Sequence, residues 1–423
     1  MIKKISKVIS HPLISGSAIV FGGTLFANLL HFIFNLFMSR TLSVSDYGTL
    51  ASLVSVILLF ALIADSFIPT VVHFSSAHFA NKELGKASSI FFKISKLSFF
   101  IGVFIVIFFI ALQGFISEFL KINNVFLIFL LSLTIFISFF YSVNRAMLQS
   151  MLAFKYLSLI GILGSFIKVV FGVSFIKMGF GVTGAMWASL FAFLVPYISS
   201  FIPLKFVFTK RTNDDPVINF NTLIKYGGPA TLSILGLTFF ITSDIILVKR
   251  FFSVENAGIY AGLSLMGKII YFFSAPVGLV MFPLIVQRHA KKENYKNIFI
   301  LSVALVLSAS LLITIFYYLF PEFIISLILK REEYLVLKDI LWIFGVFISL
   351  YAVASILTNF FLSIKRTKIF VPILVMSTLQ IVLISLIHDS FMHVILISIF
   401  CVTMLILIYL LYYWMIYGKS KKV

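Results

Sequence analysis

The segment SRTLSVSDYGTLAS, residues 39–52, has a near copy in KRFFSVENAGIYAG, residues 249–262, which lies 210 positions later in a chain of 423 residues. Each segment follows a long apolar run. Aligned without a gap, the two segments share five identities, which are Arg40/Arg250, Ser43/Ser253, Val44/Val254, Gly48/Gly258 and Ala51/Ala261. A loop that recurs after an apolar run in each half predicts two copies of one structural unit.

The composition indicates that most of this chain lies in lipid. Hydrophobic residues make up 61% and charged residues only 11%, so one water-soluble core could not cover the apolar surface. We therefore predict an all-α integral membrane protein. A membrane β-barrel is rejected because its strands would alternate apolar and polar residues. The single cysteine, Cys401, excludes a disulfide within the chain and a cysteine metal site, and it is interpreted as a packing residue.

Hydrophobic segments of spanning length can be counted along the chain. An α-helix rises about 1.5 Å per residue, so crossing a bilayer requires about 20 predominantly apolar residues. This length predicts twelve spans. Their ranges are 13–38, 49–72, 90–113, 124–143, 157–177, 181–204, 226–248, 259–286, 298–320, 338–363, 369–387 and 391–417. The first is too long for a cleaved signal peptide and is interpreted as a retained helix.

Basic residues are distributed unevenly between the predicted turns. With a cytoplasmic amino terminus, the even-numbered turns and both tails lie inside, where the positive-inside rule expects Lys and Arg. The whole net charge of +19 falls on that side, whereas the outer turns balance. Both termini are therefore predicted to be cytoplasmic. Because membrane orientation accounts for the basic composition, nucleic-acid binding is not needed to explain it.

The repeated loops also predict how the spans are grouped. Both loops follow an odd-numbered helix, and six helices separate them, so two six-helix units point the same way. Such units are related by a pseudo-two-fold axis along the membrane normal. We predict an N-terminal lobe over residues 1–208, a cytoplasmic linker over 209–217 and a C-terminal lobe over 218–423. Pro69 and Pro283, near the inner ends of helices two and eight, are predicted hinges.

Ionisable residues inside apolar spans mark candidate sites, because a charge in hydrocarbon is costly and usually faces an interior cavity. Lys168 and Lys268 are predicted near the midplane, one in each lobe. Their ammonium groups could bind an anionic group of the substrate between the lobes as a phosphate clamp. The alternative is that each lysine extends towards the interface or pairs with an acid for structure alone.

Three further residues in the spans are candidates for coupling or gating. Asp65 precedes Pro69 by four positions, and proline frees the carbonyl of Asp65, so a bend beside a charge is predicted. A structural salt bridge with a lysine is the alternative. Asp244 lies near the predicted outer end of helix seven, where it could form a gate salt bridge with a basic residue. Candidate partners are Arg40, Lys249 and Arg250. His31 is a candidate proton carrier or a packed, hydrogen-bonded residue.

The first loop carries a family resemblance. RTLSVSDYG, residues 40–48, resembles the RxLxxxxYG loop of polysaccharide-type (O-antigen, Wzx-like) flippases in the multidrug/oligosaccharidyl-lipid/polysaccharide exporter superfamily. The turn GFGVTGA, residues 179–185, and residues 148–155 are similar to the same family. Two features depart from the superfamily. Ile387–Ser390 replaces the glycine-rich turn in the second half, and helix one lacks the carboxylate common in cation-coupled drug exporters.

The resemblance implies a MATE-like exporter fold in the bacterial cytoplasmic membrane. It implies a cargo of polyprenyl-diphosphate-linked oligosaccharide and transport without an enzymatic step, a cofactor or a metal site. Coupling to H⁺ or Na⁺ is left open. The alternatives are a multidrug exporter of the same superfamily, a lipid II-type flippase, and a membrane glycan polymerase or ligase. The last is disfavoured because no Walker loop, His-metal cluster or nucleophile–base pair is apparent.

Overall fold

The computed structural model describes residues 12–210 and 220–417. Within them, twelve helices are long and apolar enough to cross a membrane, which confirms the predicted number and a multi-pass membrane protein. They are α1 (Pro12–Thr41), α2 (Val44–Asp65), α3 (Leu84–Ala111), α4 (Phe126–Ser150), α5 (Phe154–Lys177), α6 (Gly181–Ser200), α7 (Phe220–Phe251), α8 (Val254–Ala290), α9 (Lys296–Leu319), α10 (Leu341–Ser363), α11 (Phe370–Leu386) and α12 (Phe391–Tyr417). Short helices cover Phe67–Ala80, Gln113–Leu120, Phe206–Thr209 and Pro321–Ile328, and two 3₁₀ turns cover Glu332–Leu337 and Thr367–Ile369.

The chain forms two compact units. The first consists of Met1–Thr41 and Phe60–Gly228, and the second of Leu42–Leu59 and Pro229–Val423. They resemble the predicted lobes except that the first part of α2 groups with the second unit. The predicted lobe boundaries and the axis relating them stay predictions, and residues 211–217 of the predicted linker lie outside the described residues.

The first unit is organised around two sets of packed helices. In one, α5 packs against both α1 and α6; in the other, α3 and the helix Phe67–Ala80 pack against α4. The core of the second set includes Ile90, Ile94, Met147 and Val207, all of which are almost fully buried. Between α5 and α6, Gly179 and Gly181 adopt positive φ angles of 85° and 52°, which glycine tolerates best.

The second unit is centred on α10, which packs against α8, α9 and α12, while α11 packs against α12. Apolar residues of α10 such as Phe344, Phe347 and Phe361 are almost fully buried. Cys401 of α12 is also fully buried. A helix buried on most of its surface by other helices reads as apolar all round, which explains why its sequence lacks a polar stripe.

The two repeated loops fold alike. In each loop, one helix ends shortly before the shared valine, Val44 or Val254, and the next helix begins at that valine. The hydroxyl of the preceding serine accepts a hydrogen bond from the first turn: the Asp46 N–H lies 3.0 Å from Ser43 Oγ, and the Asn256 N–H lies 3.1 Å from Ser253 Oγ. Both serines satisfy otherwise unbonded N–H groups of the first turn, as helix N-caps do.

The shared glycines of these loops contact each other inside the second unit. A Cβ atom on Gly48 would lie 2.6 Å from the backbone nitrogen of Gly258, and one on Gly258 would overlap the carbonyl group of Val44. The start of α2 therefore crosses α8 at a backbone separation that only glycine permits. This crossing accounts for the grouping of residues 42–59 with the second unit.

The second predicted span, 49–72, is corrected by the structure. Helix α2 ends at Asp65, a turn follows at Ser66, and a separate helix begins at Phe67. Pro69 lies in the first turn of this new helix, where a missing N–H breaks no internal hydrogen bond. In contrast, α8 continues through Pro283 without interruption. The hinge roles of Pro69 and Pro283 stay predictions.

Candidate functional site

A polar contact joins α1 to α5 in the first unit. His31 Nε2 lies 3.1 Å from Ser165 Oγ. One turn further along each helix, the Lys168 ammonium lies 4.5 Å from the ring centroid of Phe34, which is a cation–π geometry. Lys168 is only 8% exposed, and it is close enough to His31 to interact with it electrostatically. Two of the predicted site residues, His31 and Lys168, therefore share one contact between two helices.

A second cluster in the first unit is formed around Asp65, the last residue of α2. Arg145 Nη1 donates to both carboxylate oxygens at 3.1 Å, and Ser142 Oγ donates to Oδ1 at 2.5 Å. The Arg145 guanidinium also lies 5.6 Å from the ring centroid of Tyr141. The sequence analysis considered a lysine as the partner of Asp65. The structure corrects this partner to an arginine, because α4 extends to Ser150 and carries Arg145 beside Asp65.

The third cluster lies in the second unit. Asp244 is 1% exposed, and its Oδ2 accepts a hydrogen bond of 2.9 Å from the hydroxyl of Tyr260, which is fully buried. Asp244 and Lys268 line one cavity of about 10 Å³, and they interact electrostatically. The remaining lining residues are Ile241, Ser264, Tyr271, Phe344, Ile348 and Tyr351. This volume is close to the lower limit for holding one water. Residues of α7, α8 and α10 thus line this cavity, and its surface is almost entirely apolar.

The basic residues proposed as partners of Asp244 have other neighbours. Lys249, which the sequence placed in an outer turn, belongs to the last turn of α7, is 1% exposed, and donates a 2.8 Å hydrogen bond to Thr49 Oγ1. Arg250 follows it, and Arg40 occupies the last turn of α1. Among the described residues, the carboxylate of Asp244 bonds to Tyr260 and to neither Lys249 nor Arg250. The expected salt bridge of Asp244 with Lys249 or Arg250 is therefore corrected. A gating role of Asp244 stays a prediction.

The structure brings some of the predicted residues together within each unit. His31 joins Lys168 in the first unit, and Asp244 joins Lys268 in the second. The clamp between Lys168 and Lys268 joins different units and stays a prediction. Sequence reasoning missed the polar partners Ser142, Ser165 and Tyr260, since a lone Ser or Tyr within an apolar run gives no signal of its own.

Comparison with solved structures shows which known fold this chain shares. An inward-facing multidrug resistance MATE family transporter of the MOP superfamily matches 94% of this chain with 96% of its own, at a TM-score of 0.75 and 15% identity. The lipid II flippase MurJ, in an inward closed conformation, matches 93% of this chain with 87% of its own, at a TM-score of 0.69 and 16% identity. A MATE structure in complex with MaL6 matches 96% of this chain with 97% of its own, at a TM-score of 0.66 and 18% identity. This chain therefore shares the all-helical fold of these MATE and MurJ structures, which confirms the predicted MATE-like fold, while the pseudo-two-fold axis stays a prediction.

The family follows from the sequence itself. Residues 37–335 match the family described as polysaccharide biosynthesis protein. The matched region contains both repeated loops and every predicted site residue except His31. The chain belongs to this polysaccharide biosynthesis protein family, in agreement with the resemblance of residues 40–48. No curated protein matches the chain.

Proposed function

We propose that this protein is a flippase that moves polyprenyl-diphosphate-linked oligosaccharide from the cytoplasmic to the outer leaflet by alternating access. Membership in the polysaccharide biosynthesis protein family carries the proposal. The similarity to a lipid II flippase adds support, because the substrate of that protein is also a lipid. The protein acts as a carrier and not as an enzyme, and it uses no cofactor. Its partners are the lipid-linked oligosaccharide and membrane lipids.

The cargo explains why a protein is needed. Sugar hydroxyls and a diphosphate lose their hydration in hydrocarbon, and each polar group without a partner costs several kcal/mol there. Ammonium groups that replace the lost water lower this barrier. Lys168 and Lys268 supply one such group from each unit and form the proposed phosphate clamp.

Orientation and energy source complete the proposal. The protein lies in the bacterial cytoplasmic membrane with both termini in the cytoplasm, and coupling to H⁺ or Na⁺ is left open. The membrane potential favours outward movement of an anion by about 2.3 kcal/mol per charge per 100 mV when the clamp does not travel with it. Arg40, Arg250, Asp65 and Asp244 are the gating residues, with hinges at Pro69 and Pro283.

Cysteine labelling tests the orientation. Asn256 and Lys291 are exposed near opposite ends of α8, and the native Cys401 is buried. In intact cells, a membrane-impermeant maleimide should label Asn256→Cys and should label Lys291→Cys only after permeabilisation. The reverse pattern would contradict the proposed orientation while leaving the fold intact.

A multidrug exporter is the second candidate, and the similarity to MATE transporters favours it. A site that captures cationic drugs would be expected to expose carboxylates, whereas both predicted clamp residues are lysines. A deletion strain separates the two functions. Stranding of lipid-bound sugar chains on the inner leaflet, without a change in drug sensitivity, is expected. Drug hypersensitivity with normal surface glycan would support the exporter instead. A glycan polymerase or ligase would leave unpolymerised chains on the outer leaflet.

A further inference from the structure

The contact between α1 and α5 is fixed by close packing. A Cβ atom on Gly172 of α5 would lie 2.6 Å from the Phe34 ring, and one on Gly23 of α1 would overlap the Ser158 hydroxyl. Ser158 Oγ also donates a 3.2 Å hydrogen bond to the backbone carbonyl of Ile19. Small residues at these positions let the helices approach closely, as they do in membrane helix pairs. His31 and Lys168 are thus held at one defined place.

The hydrogen bonds of Ser165 select the protonation of the His31 ring. Ser165 Oγ donates at 3.1 Å to the backbone carbonyl of Gly161, and it lies 3.1 Å from His31 Nε2. A hydroxyl carries one proton. When that proton is directed to Gly161, the neutral imidazole carries its own proton on Nε2 and donates it to Ser165. Nδ1 is then the basic nitrogen of the ring.

The charged residues of α1 and α5 around His31 are all basic. Among the described residues, the charged side chain that faces His31 from α5 is Lys168, while Lys155 and Lys177 stand at the two ends of that helix. On α1 itself the charged residue is Arg40, which lies about 13 Å further along the helix axis. Neither helix contains an Asp or a Glu. A bound anion would reverse this balance, because it favours the charged form of both His31 and Lys168.

We propose that His31, Ser165 and Lys168 form a diphosphate-binding site in which anion binding draws one proton onto Nδ1 of His31. The proton comes from solution and the imidazole becomes imidazolium, with no other bond made or broken. His31 is partly exposed, whereas Ser165 and Lys168 are buried. This inference rests on the proposed function for the identity of the anion, and it links substrate binding to protons. Release of the anion returns the proton.

Calorimetry on the full-length protein in detergent tests the linkage. Inorganic pyrophosphate and farnesyl diphosphate are titrated near pH 7 in two buffers with different ionisation enthalpies. The wild type should take up a fraction of a proton per bound anion, and its affinity should rise as pH falls by at most about tenfold per pH unit. Binding of both ligands would indicate recognition of the free diphosphate, whereas binding of farnesyl diphosphate alone would indicate that the lipid is also required.

Variants assign the proton to His31. His31→Gln should bind without proton uptake and with little dependence on pH, and His31→Asn serves where the first variant does not stay monodisperse. His393→Gln is the matched control, because His393 is exposed at the start of α12, and it should behave as the wild type. Lys168→Ala should lose most of the binding. Anion binding by the wild type without proton uptake, or uptake that persists in His31→Gln, overturns the proposal.

Failure of this inference is separable from failure of the proposed function. If vesicles with the wild-type protein flip a lipid-linked oligosaccharide but anion binding takes up no proton, the proposed function is supported and the role of His31 is refuted. If diphosphate binding takes up a proton but the vesicles flip no glycan lipid, the binding site is supported and the proposed function is refuted.

Discussion

At the scale of single residues, the sequence located the charges within the spans but not their partners. Asp65, Lys168, Asp244 and Lys268 stand out because a charge inside an apolar run requires an explanation. Their partners come from other helices, so finding them requires the packing of those helices. Arg145 was missed as a partner because the predicted fourth span, 124–143, ended before it. Its pairing with Asp65 depends on the extra turns of α4.

The pair formed by Asp65 and Arg145 should stabilise the first unit modestly. The side chains are 33% and 36% exposed, so solvent screening reduces the value of this ion pair. We expect Asp65→Asn to lower the free energy of unfolding by about 1 kcal/mol. Thermal unfolding in detergent measures this change. A double-mutant cycle with Arg145→Gln should show that most of this loss in free energy is interaction energy between the two side chains. Glu322→Gln, in an exposed pair with Lys338, is the control and should have no measurable effect.

Two buried tyrosines should differ in how removal of the hydroxyl changes stability. Tyr317 donates a 2.8 Å hydrogen bond to the backbone carbonyl of Met266, whereas the buried hydroxyl of Tyr334 has no partner among the described residues. Tyr317→Phe should therefore destabilise the protein by about 1 kcal/mol. Tyr334→Phe should leave stability unchanged or raise it, because an unsatisfied polar group is removed. Equal losses in the two variants, measured by thermal unfolding, would contradict this difference.

At the scale of elements, the repeated loops were predictable because their sequence signals are local. The repeat is visible in fourteen residues, and the structure adds that the shared serine caps the following helix in both copies. The contact between Gly48 and Gly258 was not predictable, since it depends on where two distant helices cross. The same holds for the end of α2: Pro69 indicated a disturbance, but the position of the break at Ser66 required the structure.

The crossing of α2 and α8 should tolerate no side chain. A Cβ atom on Gly258 would overlap backbone atoms of Val44, which cannot move aside as a flexible side chain could. Gly258→Ala should therefore destabilise the protein by about 2 kcal/mol or more and should reduce transport. Gly22→Ala is the matched control, because nothing lies within 4 Å of its Cβ position. This control should be neutral or stabilising by up to about 1 kcal/mol. Similar losses in both variants would argue against a close crossing.

The turn before α3 should weaken in acid. The pKa of Glu83 is lowered by side-chain hydrogen bonds from His78, at 2.6 Å, and from Lys86, at 3.0 Å. A carboxyl group with a lowered pKa stabilises the folded turn above its ordinary pKa, and this contribution is lost as pH falls through the lowered value. Hydrogen exchange of the Glu83 amide, which bonds to the carbonyl of His78, should speed up on acidification beyond the intrinsic rate change. Glu83→Gln should remove this extra acid dependence, and its persistence would refute the assignment.

At the scale of the whole molecule, the class and the number of spans were predictable from hydrophobicity alone. A run of apolar residues is sufficient evidence of a span because lipid requires every backbone group to be bonded within the helix. Hydrophobicity does not predict the motion of the units or the path of the cargo. Lys168 and Lys268 sit in different compact units, and their joint action on one anion is the central claim of the proposed mechanism.

Transport in reconstituted vesicles tests that claim most directly. Purified protein is inserted into liposomes that contain a fluorescent polyprenyl-diphosphate-linked oligosaccharide, and the labelled lipid that reaches the opposite leaflet is measured over time. Loss of charge-assisted bonds from both lysines should slow the Lys168→Ala, Lys268→Ala variant at least about tenfold. Lys291→Ala, which removes an exposed lysine, should match the wild type. A folded double variant that flips the lipid at the wild-type rate would contradict the account.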